Sequence, residues 1–158
     1  MTWIKCLCGV SNLNKHTEIV SLDEIPLYSK MQLAEHQLER AVILYLDEKD
    51  YISSITLAGA SEEILGRLLE NKGETNDLNE LVIAFASEYG VGWEELRKWV
   101  IEDENYYRNH LKHIKDGSYI SIYPEAAQRK INSALANFIK LNGKQSENMK
   151  RYFDMTVL

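Results

Sequence analysis

The sequence has few residues that break or crosslink a chain: two prolines, eight glycines and two cysteines among 158 residues. So little proline and glycine excludes collagen-like and linker-like sequence. No apolar run reaches the roughly 18–20 residues that span a bilayer, the longest being Ala41–Leu46. The first ten residues carry one lysine and no long apolar segment, so no secretory signal is predicted. We therefore expect a cytoplasmic protein that does not enter the membrane.

The two cysteines do not form a recognisable metal site. Cys6 and Cys8 stand one residue apart, and only His16 lies close to them in sequence. A tetrahedral zinc site needs four ligands. We therefore favour ordinary reduced thiols over a zinc site and expect no metal.

The net charge of −6 excludes a broadly basic protein. Strong, salt-dependent binding to nucleic acid usually requires a basic domain, although a small basic site on an acidic body stays possible. Apolar residues make up 45% and charged residues 27% of the chain, close to the average for globular proteins. A chain of this length and composition predicts one domain with a sizeable core.

Apolar residues recur at steps of three and four over most of the chain, which predicts amphipathic helices. Ser29 and Asp50 are suited to cap the first two helices, Gly73 to end the second, and Pro124 to open the fifth. The predicted helices cover residues 29–47, 51–71, 77–89, 93–115 and 124–141. We expect an all-α antiparallel bundle of four to five helices over residues 29–142. An irregular arm of residues 1–28 precedes it, and a tail of residues 143–158 with a short helix follows.

Polar residues concentrate in one stretch, residues 104–117, at the end of a helix that otherwise contributes to the core. Arg108 offers a planar fork of donors for phosphate oxygens. Asn109 can orient a phosphate or a sugar hydroxyl. His113 lies in the predicted last turn, where a cation is favoured, and histidine moves protons near neutral pH. Together these side chains suit phosphoryl chemistry without a metal.

The same residues also permit a purely structural interpretation. Glu104 and Arg108 have the spacing of an ordinary ion pair on a helix surface. His113 and Lys115 near a helix end complement the helix dipole. Arg108 and His113 also lie about 140° apart around an ideal helix. They converge only if the helix is distorted or if a second copy of the chain supplies one of them.

The segment Arg108-Asn109-x-x-x-His113 resembles the R-x(4–6)-H motif of the HEPN superfamily, a group of small helical bundles found in RNA-directed toxin–antitoxin and defence systems. In that motif a polar residue follows the arginine, and Asn109 fits. The alanine-containing second helix with its central glutamates is similar to the family's second helix. Residues 47–51, Asp-Glu-Lys-Asp-Tyr, are similar to the acidic turn that joins the family's first two helices. The resemblance covers about residues 30–142.

The resemblance implies a homodimer with both motifs facing one cleft, and a metal-independent endoribonuclease activity. Arg108 and His113 are then the catalytic pair, assisted by Asn109. The candidate substrate-binding residues are Glu62, Glu63, His110 and Lys112. No metal or cofactor is expected, since no helix carries the Glu-x-x-His pair of di-metal bundles. The expected partners are an RNA substrate and an antitoxin or nucleotidyltransferase on a separate chain. A non-catalytic module that binds a nucleotide or a protein stays open as the alternative.

Overall fold

The computed structural model describes residues 26–90, 92–112 and 119–156, and this part of the chain is all-helical. Helix α1 spans Lys30–Ile43 and continues into a π-helical segment, Leu44–Glu48. The following helices are α2 (Tyr51–Asn71), α3 (Asp77–Tyr89), α4 (Trp93–Glu104), α5 (Tyr106–Lys112), α6 (Pro124–Lys140) and α7 (Glu147–Thr156). No helix in the described ranges is both long enough and apolar enough to cross a bilayer.

The helix ends follow the predicted capping residues. The Ser29 hydroxyl accepts the Gln32 N–H, and the Gln32 side chain accepts the Ser29 N–H, which completes a capping box. The Asp50 carboxylate accepts the Ser53 N–H at 3.0 Å. These contacts with Ser53 hold the pKa of Asp50 below its usual value. After α2, Gly73 takes the left-handed conformation, with φ of 76°.

The main core lies between α1, α2, α6 and α7. Its fully buried side chains include Leu38, Leu65 and Phe138, and α7 adds Met149 and Tyr152. Residues 147–156 therefore form part of the main core, since α7 places two of its side chains there at 0% exposure. Burial raises the pKa of Tyr152, so its phenol stays neutral and donates to the Asn132 side-chain oxygen at 2.8 Å.

Small residues bring α1 and α2 into close contact, as the run Ala58-Gly59-Ala60-Ser61 predicts. The Ser61 hydroxyl donates to the Ala34 carbonyl of α1 at 2.8 Å, and the Ser54 hydroxyl donates to the Ala41 carbonyl at 2.9 Å. Both serines are fully buried. A buried hydroxyl needs such a partner, so these two bonds also fix the register between the helices.

Helices α3 and α4 form a hairpin that is attached to α6 at two points. At the start of α3, the Asp77 N–H donates to the Asn137 side-chain oxygen at 2.8 Å, and the Ser133 hydroxyl donates to the Asp77 carboxylate. At the end of α4, Glu104 pairs with Lys130. Between these points the hairpin has its own small core of Val82, Leu96 and Val100. We call residues 77–104 the acidic hairpin, for the charge described below.

The predicted fourth helix over residues 93–115 is not continuous. It ends at Glu104, Asn105 forms a turn, and the shorter α5 begins at Tyr106. The described chain therefore has seven α-helices, where the sequence predicts a bundle of four to five and a short helix in the tail. The division of this helix accounts for the additional one, and α7 is the predicted tail helix.

Candidate functional site

Helix α5 carries most of the predicted catalytic motif. The backbone of Arg108 and all of Asn109 lie in this helix, and Asn109 is partly exposed. His113 and the side chain of Arg108 lie outside the described part of the chain. The proposed catalytic pair therefore stays a prediction, while the position of the helix that carries it is described.

Apolar contacts on one side of α5 fix its position. Tyr107 and Leu111, four residues apart, pack against Ile55 of α2 and against Ala126 and Ala127 of α6. Residues four apart share a helix face. Arg108 and Lys112 are each one residue further along, so their Cα atoms lie about 100° around the axis from this buried face.

His110 is held by its own helix. Its Nδ1 lies 2.8 Å from the Tyr106 carbonyl oxygen, and its ring centroid lies 4.2 Å from that of Tyr106. A carbonyl oxygen only accepts, so Nδ1 must carry the hydrogen. In the neutral ring, Nε2 is then the nitrogen that accepts a proton or a hydrogen bond. His110 is therefore oriented by its contacts with Tyr106, and its substrate-binding role stays a prediction.

The structure separates the two neighbouring glutamates that the sequence could not distinguish. Glu62 is buried at 9% exposure, and its carboxylate lies 3.9 Å from the Lys130 Nζ atom. The Glu63 side chain is 44% exposed and pairs with Arg67 one turn later at 3.5 Å. Glu62 therefore belongs to a buried ionic cluster, whereas Glu63 lies at the surface beside Arg67.

The buried ionic cluster joins three helices next to the start of α5. Lys130 of α6 is 4% exposed, and its Nζ atom lies 3.2 Å from the Glu104 carboxylate at the end of α4. Arg129 adds a weaker contact of 3.9 Å to the same carboxylate. Glu104 comes two residues before α5, so this cluster of Glu62, Glu104 and Lys130 fixes the point where the motif helix starts.

A groove of about 420 Å³ runs beside α5 and brings two of the predicted substrate-binding residues together. Glu63 and Lys112 both line it, and Lys30 and Arg67 supply two further cations. Ala60, Ile64 and Leu68 make its apolar part. We call this the basic groove. Among the described residues, neither Lys30 nor Lys112 forms an ion pair.

A second, polar pocket of about 310 Å³ lies on the other side of Glu63 and Arg67. Glu62 of α2 also lines this pocket, and so do Arg97 of α4 and Asn105 after α4. The exposed face of α2 thus separates two depressions that share Glu63 and Arg67. Each of them is also lined by one residue of the polar stretch 104–117: the basic groove by Lys112 and the polar pocket by Asn105.

The net charge is unevenly distributed along the chain. The acidic hairpin contains eight acidic and two basic residues, so it carries −6, the net charge of the whole chain. The remaining residues are electrically balanced. The acidic excess of the chain therefore belongs to the hairpin segment, and not to the segments that carry α5 and the basic groove.

Comparison of the chain with protein-family models, with curated proteins and with solved structures returned no match.

Sequence reasoning missed Lys130, Lys30 and Arg67. Lys130 had a detectable signal, because it lies three residues after Ala127 and four before Ala134, on the apolar face of α6. A charge at such a position predicts a buried partner. Lys30 and Arg67 had no such signal, since only the folded chain brings them to Lys112.

Proposed function

We propose that the chain is a HEPN-like, metal-independent endoribonuclease that acts as a homodimer. The motif resemblance at Arg108, Asn109 and His113 supports this activity. The observation that carries the proposal furthest is the basic groove, in which Lys112 of the motif helix is joined by Lys30 and Arg67. Cations on a charge-balanced part of the chain attract the phosphates of RNA.

The proposed chemistry is attack of an RNA 2′-hydroxyl on the adjacent phosphate. His113 takes the proton of the 2′-hydroxyl, and the 2′-oxygen forms a bond to phosphorus. The bond between phosphorus and the 5′-oxygen breaks, and the 5′-oxygen receives a proton. Arg108 stabilises the charge on the phosphoryl oxygens, and Asn109 holds the substrate. The basic groove binds a neighbouring phosphate, and the second copy of the chain contributes its own motif to the shared cleft.

An RNA cleavage assay in the presence of EDTA tests this function. The parent should cleave single-stranded RNA, and Arg108→Ala and His113→Ala should each lose at least about 100-fold in rate, the lower range for acid–base catalysis. His36→Ala is the matched control, since His36 is an exposed histidine on α1 and should retain full activity. Equal rates in all four proteins would remove the motif from the mechanism.

The basic groove also supports a second function, a non-catalytic module that binds a nucleotide or RNA. Binding requires only its cations and apolar part, whereas cleavage requires His113. In this case Lys112→Ala weakens RNA binding, and the slope of the logarithm of the binding constant against the logarithm of the salt concentration becomes shallower by about one. His113→Ala binds RNA like the parent. Absence of product under every condition would then favour this alternative. An antitoxin or nucleotidyltransferase partner stays a prediction, tested by co-purification.

A further inference from the structure

The acidic hairpin leaves a large apolar cleft open between α3 and α4. The cleft has a volume of about 600 Å³, and its charged lining residues are Asp103 and Glu104 with Arg129 of α6, which pairs with both. Its apolar lining residues are Leu81, Phe85, Tyr89, Leu96, Trp99 and Val100. Two of these side chains are mostly exposed: Tyr89 at 63% and Trp99 at 61%. Large aromatic side chains left exposed around one depression are typical of interaction sites.

The attachment of the hairpin explains why this cleft is open. Its contacts with α6 lie at the start of α3, through Asp77, and at the end of α4, through Asp103 and Glu104. The core of Val82, Leu96 and Val100 between these points is separate from the main core. Among the described residues, Arg129 of α6 is the only lining residue from outside the hairpin, so the apolar groove between its two antiparallel helices is left largely uncovered by the described chain.

The charge around the cleft determines what can bind there. The hairpin carries −6, and its exposed acidic residues include Glu88, Glu94, Glu95 and Glu102. This charge repels RNA and anionic lipid surfaces. It also disfavours a symmetric dimer through the cleft, because such a dimer places two copies of the same acidic surface against each other. An apolar groove on a hairpin of net negative charge is complementary to an apolar segment with basic flanks.

We propose that this cleft binds an amphipathic helix of a separate protein, with apolar residues on one face and Lys or Arg beside them. The helix lies between α3 and α4, and its apolar side chains at positions i, i+3 or i+4 and i+7 contact Phe85, Leu96 and Trp99. Lys and Arg on its flanks pair with the carboxylates of the hairpin. This surface is distinct from the basic groove, so the proposal does not depend on ribonuclease activity.

A pair of synthetic peptides of about five helical turns tests the proposal. Both peptides carry leucine at positions i, i+3 or i+4 and i+7, the spacing of the proposed partner helix. All other positions are lysine in one peptide, the Leu/Lys peptide, and glutamate in the other, the Leu/Glu peptide. Fluorescence anisotropy of the labelled peptides should give micromolar binding of the Leu/Lys peptide to the full chain. The Leu/Glu peptide should bind at least about tenfold more weakly, because its charge matches that of the hairpin.

Matched variants assign the binding to the cleft. Trp99→Ala should weaken binding of the Leu/Lys peptide at least about tenfold, whereas Tyr123→Ala, an exposed aromatic outside the hairpin, should not change it. Glu102→Lys should also weaken binding, and Glu74→Lys, an exposed glutamate outside the hairpin, should not. Circular dichroism of each variant establishes that the fold is retained.

Three results would overturn the proposal: no binding of the Leu/Lys peptide, equal binding of both peptides, or parent-like binding by Trp99→Ala. Sedimentation of the free proteins tests the other occupant, a second copy of the chain. A parent that dimerises where Trp99→Ala is monomeric would assign the cleft to self-association and exclude the proposed partner helix.

Discussion

Lys130→Met is expected to destabilise the protein by about 3 kcal/mol. The side chain of Lys130 is 5% exposed, and those of its partners Glu62 and Glu104 are 11% and 13% exposed. Removal of one member of a buried ion pair costs about 3–5 kcal/mol, because the other charge stays buried without compensation. We expect the lower end, since Arg129 stays within 3.9 Å of Glu104. Methionine has a similar helix propensity to lysine, so the loss reports the charge.

Urea unfolding followed by circular dichroism measures this loss. For a chain of this size, about 3 kcal/mol corresponds to a decrease in Tm of about 6–12 °C. Addition of Glu104→Gln to Lys130→Met should recover about 1 kcal/mol, because it neutralises the carboxylate that has lost its contact with the lysine. Lys150→Met is the control, since Lys150 and its partner Glu147 are 53% and 89% exposed and such pairs contribute at most about 1 kcal/mol. Lys130→Met within about 0.5 kcal/mol of the parent would refute the reasoning.

Two further predictions test local features of the fold. Gly143→Ala should lower the free energy of unfolding by about 1–3 kcal/mol, because a Cβ atom at this position lies 2.5 Å from the ring of the buried Phe138. Gly92→Ala, where a Cβ meets no atom within 4 Å, should lower it by no more than about 1 kcal/mol, the cost of alanine at the N-cap of α4, and equal thermal unfolding of both variants would contradict the assigned contact. Asp50→Ala should cost about 1 kcal/mol at pH 7 through loss of the helix cap. Because the folded-state pKa of Asp50 is lowered, its stabilisation is complete above the unfolded value of about 3.9 and decreases as the pH falls through the folded value. A difference between parent and Asp50→Ala that is constant from pH 7 to pH 2 would contradict this assignment.

The helices could be predicted from the sequence wherever periodicity and end signals agreed. For α1 and α2, the apolar stripes are bounded by Ser29, Asp50 and Gly73, and the structure confirms all three at the helix ends. Local signals suffice there because each cap bonds to a residue within one turn. The break at Asn105 could not be found in this way. No glycine or proline occurs between Val100 and Leu111 to mark a helix end, and the turn coincides with the long-range contact of Glu104 with Lys130.

The candidate site shows which long-range contacts a single sequence does reveal. On α2, Glu62 lies four residues after Ala58 and three before Leu65, so its position is on the apolar stripe. Lys130 occupies the equivalent position on the stripe of α6. One acidic and one basic residue on the apolar faces of two helices in one small domain predict that these helices pack together, because each buried charge requires a partner.

The basic groove has no comparable signal in the sequence. Lys30, Arg67 and Lys112 are exposed lysine and arginine residues on three different helices, and any surface tolerates such residues singly. Only the packing of α1 and α5 on either side of α2 brings them together.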